Sequence, residues 1–282
     1  APRAHPKVIT LTKADLESPR GASSHFVKVI ECGLASRAGV REAARVTSPM
    51  PVRPRNDLAQ YDDLADEWWD PRGKFAALHW LAKARGSLIP PAPADGAVLI
   101  DLACGGGLTA PHVPSGYVHI GVDLMDSALR EARGHGVVPV RADVTRLPVR
   151  RAVADVVVAG EIFEHVRDLP RLIAEIARVL KPGGKLICDT VSSGLPAYVA
   201  IVLIGERLAG GPPPRIHDRR LFVSADRLRL LCDHVGIDLA TRGLRPSARD
   251  YLRWRRGELD AVRMKPTGSS AVVYQGVGTK RR

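Results

Sequence analysis

A buried strand that runs straight into a glycine-rich turn constrains this chain more than any other feature. Val98-Leu-Ile-Asp101-Leu-Ala103 is apolar apart from its aspartate, and Cys104-Gly105-Gly106-Gly107 follows at once. Glycine in such a turn removes the Cβ that would hold a ligand away from the backbone. Further apolar runs read as strands at Val118–Leu124, Val137–Val140, Asp155–Gly160 and Lys185–Thr190. Leu169–Leu180 has the spacing of an amphipathic helix, and Lys181-Pro182-Gly183-Gly184 supplies its stop and a turn. Ala225–Val235 predicts another helix, with strands at Ile237–Ala240 and Ala271–Val277. Upstream, 57–69 and 74–89 predict two helices, the second ended by Pro90 and Pro91. Strands alternating with helices predict an α/β fold, a mostly parallel sheet covered on both faces.

Charge separates the ends of the chain from its body. Of a net +12 over 282 residues, residues 1–55 carry +6 and residues 241–282 carry +8, which leaves 56–240 at −2. A basic end can touch nucleic acid or an anionic membrane surface. No aromatic residues interleave with these cations in a nucleic-acid pattern, and the near-neutral body argues against a nucleic-acid partner. Residues 1–55 mix Pro, Arg, Ala and Ser with little periodicity, and the first Met is Met50. We read 1–55 as a basic, flexible extension and 56–282 as the folded domain. A start at Met50 or a processed leader is the matching expectation. No apolar run reaches the length of a membrane span. The four cysteines form no C-x-x-C pair and read as free thiols in a reducing compartment.

The acids around the turn indicate what it holds. Asp123 closes the second strand, 18 residues after Gly105, where a carboxylate can take both hydroxyls of a ribose. Gly105-x-Gly107-x-x-Ala110 also satisfies a dinucleotide fingerprint, so NAD is a competing reading. Three features favour S-adenosylmethionine. Asp101 sits four residues before the turn and can orient a cationic amino group. Asp143 repeats the acid at the end of the third strand, within reach of an adenine amine. The helix–strand–strand tail suits an antiparallel last strand. A sulfonium and an α-ammonium call for carboxylates, where a pyrophosphate would not.

These residues resemble a known family. Asp101-x-Ala-Cys-Gly-Gly-Gly, Gly-Val-Asp123, Ala-Asp143 and Val179-Leu-Lys-Pro-Gly-Gly184 are similar to the motifs of class I S-adenosylmethionine-dependent methyltransferases. Glu67-Trp-Trp-Asp-Pro-x-Gly73, Glu161-x-x-Glu164-His165-Val and Ile216-His217-Asp218 resemble the ubiquinone-biosynthesis O-methyltransferases. The resemblance spans about residues 56–278. It implies a Rossmann-like sheet of seven strands, the last antiparallel. It also implies an S-adenosylmethionine cofactor and methyl transfer to a phenol or catechol hydroxyl of a small, polyprenylated acceptor.

Carried over residue by residue, the resemblance assigns Arg85 to the methionyl carboxylate and Gly160 to the cofactor. Ala103 stands where the family has glycine. The expected cofactor set is therefore Arg85, Asp101, Ala103, Gly105, Gly107, Asp123, Asp143 and Gly160. A helix beginning near Glu161 would put Glu161, Glu164 and His165 on one face. The resemblance implies Mg²⁺ there, and His165, with Glu164, is the expected catalytic group; without metal, His165 could be the general base. Residues 194–211 are apolar, too short to span a bilayer, and suited to its surface or to a greasy pocket. With the basic C-terminal stretch they form an expected peripheral membrane contact, so the expected location is the cytoplasm or the inner face of a membrane. Two other readings stay open: a carbon or carboxyl methyltransferase of secondary metabolism, and a non-catalytic cofactor-binding partner of a biosynthetic complex.

Overall fold

The computed structural model describes residues 53–282. The proposed extension lies outside them, save its last residues. Arg55 is tied into the fold by hydrogen bonds to Glu206 and to the His217 carbonyl, so the domain takes in a little more chain than the boundary after residue 55 allows.

Eight strands form one sheet in the order β3-β2-β1-β4-β5-β8-β6-β7. They are β1 (Ala97–Leu102), β2 (Tyr117–Asp123), β3 (Val138–Arg141), β4 (Ala154–Gly160), β5 (Leu180–Val191), β6 (Ile237–Pro246), β7 (Met264–Thr267) and β8 (Val273–Lys280). The first five run parallel. β8 lies antiparallel between β5 and β6, and β7 is an antiparallel edge. The expected seven strands thus become eight. The extra one, Met264-Lys-Pro-Thr267, is short and carries a proline, features that edges tolerate and interiors do not.

Period-two alternation buries both faces of the sheet. Ile100, Leu102, Val157, Ala159 and Leu186 point one way, into a core shared with α4 (Leu169–Val179) and α6 (Ala225–His234). Leu99, Val156, Val158 and Ile187 point the other way, under Ile89 just past α2 (Ala76–Gly86). α4 buries Leu169, Leu172, Ile173, Ile176 and Ala177, one stripe at helical spacing. The Asp168 side chain caps it by accepting from the Arg171 N–H at 3.1 Å.

Two local expectations change, and a third segment takes a form the sequence left open. Residues 57–69 do not make one helix. A single turn, α1 (Gln60–Asp63), is followed by a 3₁₀ turn at Ala65–Glu67, and the break lets Tyr61, Trp68 and Phe75 stack on one another. The Lys181–Gly184 turn is already part of β5, which pairs with β4 from Leu180 across an irregularity. Residues 195–207 form a helical segment of three pieces, α5 (Leu195–Ala197), a π-helical stretch at Tyr198–Ile204 and a 3₁₀ turn at Gly205–Arg207. The remaining helices are α3 (Asp126–Gly134) and α7 (Ala248–Arg255). No helix among the described residues is long and apolar enough to cross a membrane.

Candidate active site

Strand order reverses at β1, whose neighbours are β2 and β4, and a crevice opens there at the carboxyl ends of the strands. Asp101 near the end of β1, Asp123 at the end of β2, Gly160 at the end of β4 and Asp189 near the end of β5 converge on it. Arg85, Asp101, Ala103, Gly105, Asp123 and Gly160 all line one cavity.

Asp123 braces the glycine turn as well as facing the cavity. One of its oxygens accepts from the Gly105 N–H and the other from the Met125 N–H, both at 2.9 Å. Burial raises its pKa despite those donors. Gly105 sits at φ 52°, and Ala103 at φ 51° occupies the same left-handed region with a side chain. A non-glycine residue there costs about 1–2 kcal/mol, which gives the family's glycine at this position a physical reason.

Trp68 is seated on the turn. A Cβ added to Gly105 or Gly106 would stand 2.5 or 2.6 Å from its indole ring. Trp69 anchors the same strap by donating from Nε1 to the Gly106 carbonyl at 2.9 Å. The Trp-Trp segment therefore closes one side of the cavity.

Arg85 is buried, and one of its guanidinium nitrogens reaches both oxygens of Asp189 at 2.7 Å. Burial opposes its charge, but Asp189 and then Asp101 outweigh that and raise its pKa. The guanidinium lies against Gly160, where a Cβ would fall 2.1 Å from it. Its Nε is buried and has no partner.

Two expected cofactor residues do not line this cavity. Gly107 turns away from the cavity and lets α3 approach, since a Cβ there would meet Ala132 at 3.0 Å. Asp143 is exposed and closes its own turn, accepting from the Thr145 N–H and hydroxyl at 2.8 Å; its neighbour Val144 lines the cavity instead. Both of those bonds fall on Oδ1.

The acids and histidines after β4 also differ from expectation. No helix starts at Glu161, which sits at φ 49° in a turn. The shared helical face therefore does not form. Instead Glu164, His165 and His217 bring ligand-type atoms within 4.8 Å of one another, and Glu161 is not among them. Glu164 is fully buried and accepts from the Thr190 hydroxyl at 2.7 Å and the Val191 N–H at 3.3 Å. Burial raises the pKa of both Glu161 and Glu164, and for Glu161 the neighbouring Glu164 and Asp189 add to it. Burial lowers His165 to about 4. Burial, then His165 and Arg55, lower His217 to about 3. The two rings stack 5.5 Å apart. Buried Glu161 Oε1 and His217 Nδ1 have no hydrogen-bond partner.

A second cavity, about 470 Å³, opens from this point. Tyr61, Leu78, Glu161 and His165 line both cavities. The second continues between Ala200, Ile201, Leu208, Tyr251, Met264 and Val273 and is overwhelmingly apolar. Asp189 and the role of His217 were missed from sequence. Asp189 carries the same signal as Asp101 and Asp123, an acid near the end of an apolar strand.

A sequence profile described as a methyltransferase domain matches residues 100–188. A solved S-adenosylmethionine-dependent methyltransferase from Thermotoga maritima superposes with a TM-score of 0.56 at 21% identity, covering 79% of this chain and 97% of that one. A phosphoethanolamine N-methyltransferase from Haemonchus contortus, solved with S-adenosylmethionine, gives 0.51 at 15% identity, covering 79% and 60%. Sheet, glycine turn and profile together define an S-adenosylmethionine-dependent methyltransferase of class I. Within that class, the chain is 32% identical over 205 residues to the ubiquinone biosynthesis O-methyltransferase of Caulobacter sp., across 65% of this chain and 81% of the relative. It is 30% identical to that of Idiomarina loihiensis, across 67% and 82%. The chain belongs to the ubiquinone biosynthesis O-methyltransferase family.

Proposed function

We propose that the chain methylates a phenol or catechol hydroxyl on an acceptor that carries an apolar, polyprenyl-like tail. One observation carries this reading: an apolar cavity opens from the cofactor crevice at His165 and Glu161, so a polar ring can meet the methyl donor while a greasy tail lies beyond it. The names of the relatives support the same acceptor class.

In this reading the free edge of Arg85 takes the methionyl carboxylate as a fork, and Asp101 takes the ammonium. Asp123 takes the ribose hydroxyls, while the backbone at Ala103, Gly105 and Gly160 lets the cofactor lie close. Burial and the Trp68 strap exclude water and hold the two reactants in line. His165 removes the proton from the acceptor hydroxyl, with Glu164 held nearby by Thr190 and Val191. Bound S-adenosylmethionine would supply the methyl group to that oxygen, with S-adenosylhomocysteine as the second product.

In the alternative to that proton transfer, Glu164, His165 and His217 would hold a divalent cation, since their ligand-type atoms lie within 4.8 Å of one another and, beside the set, buried Glu161 Oε1 lacks a hydrogen-bond partner. Two imidazoles and one carboxylate suit a zinc- or iron-type ion better than Mg²⁺, which prefers oxygen ligands. Such an ion would lower the pKa of a bound hydroxyl.

Residues 195–208 supply a membrane-facing surface in the same reading. Leu195, Val199, Leu203, Ile204 and Leu208 are exposed there, and Arg249, Arg255 and Arg256 are exposed on and just past α7. This surface fits an enzyme that collects a lipid-soluble acceptor from an anionic bilayer.

Calorimetric titration with S-adenosylhomocysteine, followed by a prenylated catechol, tests the reading. Micromolar cofactor binding and catechol binding that is lost with its tail are expected. Cofactor binding with equal affinity for tailless and tailed catechols would sink the acceptor assignment.

A further inference from the structure

His165 is held from behind by a residue far away in sequence. The Asn56 side chain makes two hydrogen bonds to it. Its Nδ2 donates to the His165 carbonyl at 3.2 Å, and its Oδ1 lies 2.6 Å from His165 Nδ1. The first bond settles the second. A carbonyl oxygen only accepts, so the amide nitrogen must face it and the amide oxygen must face the ring. An amide oxygen also only accepts, so His165 Nδ1 must carry the proton.

Asn56 is itself fixed. Its backbone sits at φ 58°, a region Asn tolerates better than most residues, and its N–H donates to the Arg215 carbonyl at 3.1 Å. Next to it, Arg55 donates from one nitrogen to the His217 carbonyl at 2.9 Å and to Glu206 at 3.2 Å. Glu206 in turn accepts from the Arg215 N–H at 2.9 Å. Two consecutive residues thus hold the segments of both stacked histidines.

We propose that Asn56 is a positioning residue for methyl transfer: it locks His165 in the Nδ1–H tautomer and leaves Nε2 as the basic nitrogen for the acceptor hydroxyl. The proton passes from that hydroxyl to Nε2, and the Nδ1 proton stays on its bond to Asn56 throughout. This inference rests on the proposed role of His165 as base. Partners that orient a metal-bound histidine from behind are worth roughly 10–100-fold, and a loss of the same order is expected for a histidine held as a base.

The test combines ¹⁵N NMR of the His165 ring in the full chain with kinetics of two variants. The wild-type ring is expected to show a protonated Nδ1 and an unprotonated Nε2 at neutral pH. Asn56→Gly removes the amide without straining the backbone. It should lower kcat roughly 10–100-fold, leave KM for S-adenosylmethionine unchanged, and shift the ring toward Nε2–H. Asn56→Asp keeps the accepting oxygen and should retain more of kcat. A wild-type ring protonated at Nε2 overturns the inference. So does an Asn56→Gly variant with undiminished kcat while His165→Ala is inactive. Turnover that survives in His165→Ala overturns instead the role of His165 as base.

Discussion

Replacing Gly106 by alanine places a methyl group where the Trp68 ring already stands. The new carbon would lie 2.6 Å from Cγ, 2.7 Å from Cβ and 2.9 Å from Cδ2 of Trp68. Carbon atoms settle at about 3.5–4.0 Å, so something must yield by roughly 1 Å. The indole has little room to yield, being buried and stacked 4.1 Å from Phe75. Overpacking of this kind costs about 1–3 kcal/mol. Gly105→Ala meets the same ring at 2.5 Å and adds a side chain at φ 52°, a further ~1–2 kcal/mol. Equilibrium urea unfolding of the full chain should therefore rank wild type above Gly106→Ala above Gly105→Ala. Gly105 meets only ring atoms of Trp68, so in a Trp68→Ala background the cost of Gly105→Ala should shrink by about 0.5–3 kcal/mol, the usual coupling of touching residues. Equal costs in the two backgrounds would show that Trp68 does not sit on the turn, and the closed wall of the cofactor cavity would be lost with it.

Three further outcomes are expected. His165→Ala should lower kcat by about 10²–10⁴-fold, the range for losing a general base, while S-adenosylhomocysteine binding by calorimetry stays near wild type. His217, lowered to about 3 from an ordinary 6.5, makes the unfolded chain bind more protons between those values, so stability is full above 6.5 and falls as pH drops toward 3. His217→Gln should flatten that fall by up to about 1.4 kcal/mol per pH unit, read by unfolding at several pH values; an unchanged slope would contradict the burial of a neutral imidazole. Asp155 accepts from the Val98 N–H at 2.9 Å and from Lys181 at 2.8 Å. Asp155→Ala leaves the start of β1 with an unpaired N–H and should cost about 1–3 kcal/mol in the same assay.

The parallel half of the sheet was legible because buried strands and a capped amphipathic helix carry their periods locally. Asp101, Gly105 and Asp123 were legible for the same reason, since a strand end and its turn are neighbours in sequence. What depends on distant partners was not. Glu161 and Glu164 read as a helical face, yet the chain bends at Glu161, and the partner that completes the cluster, His217, arrives from beyond β5. Asp143 has the right residue type at the right strand, but the turn bonds that place one of its oxygens beside Thr145 could not be read from spacing. Asn56 reaches His165 across 109 residues, and no spacing rule could pair them. The β7 edge was invisible because its four residues carry no apolar alternation and depend on β6 for their pairing.

Turnover of a prenylated catechol with methyl-labelled S-adenosylmethionine, with the labelled carbon located in the product by NMR, decides whether this chain is an O-methyltransferase of tailed phenols. One methyl ether per S-adenosylhomocysteine formed is expected, with faster turnover with the tail than without it. Label found on a ring carbon or a carboxyl group, or cofactor bound with no transfer at all, would contradict that reading.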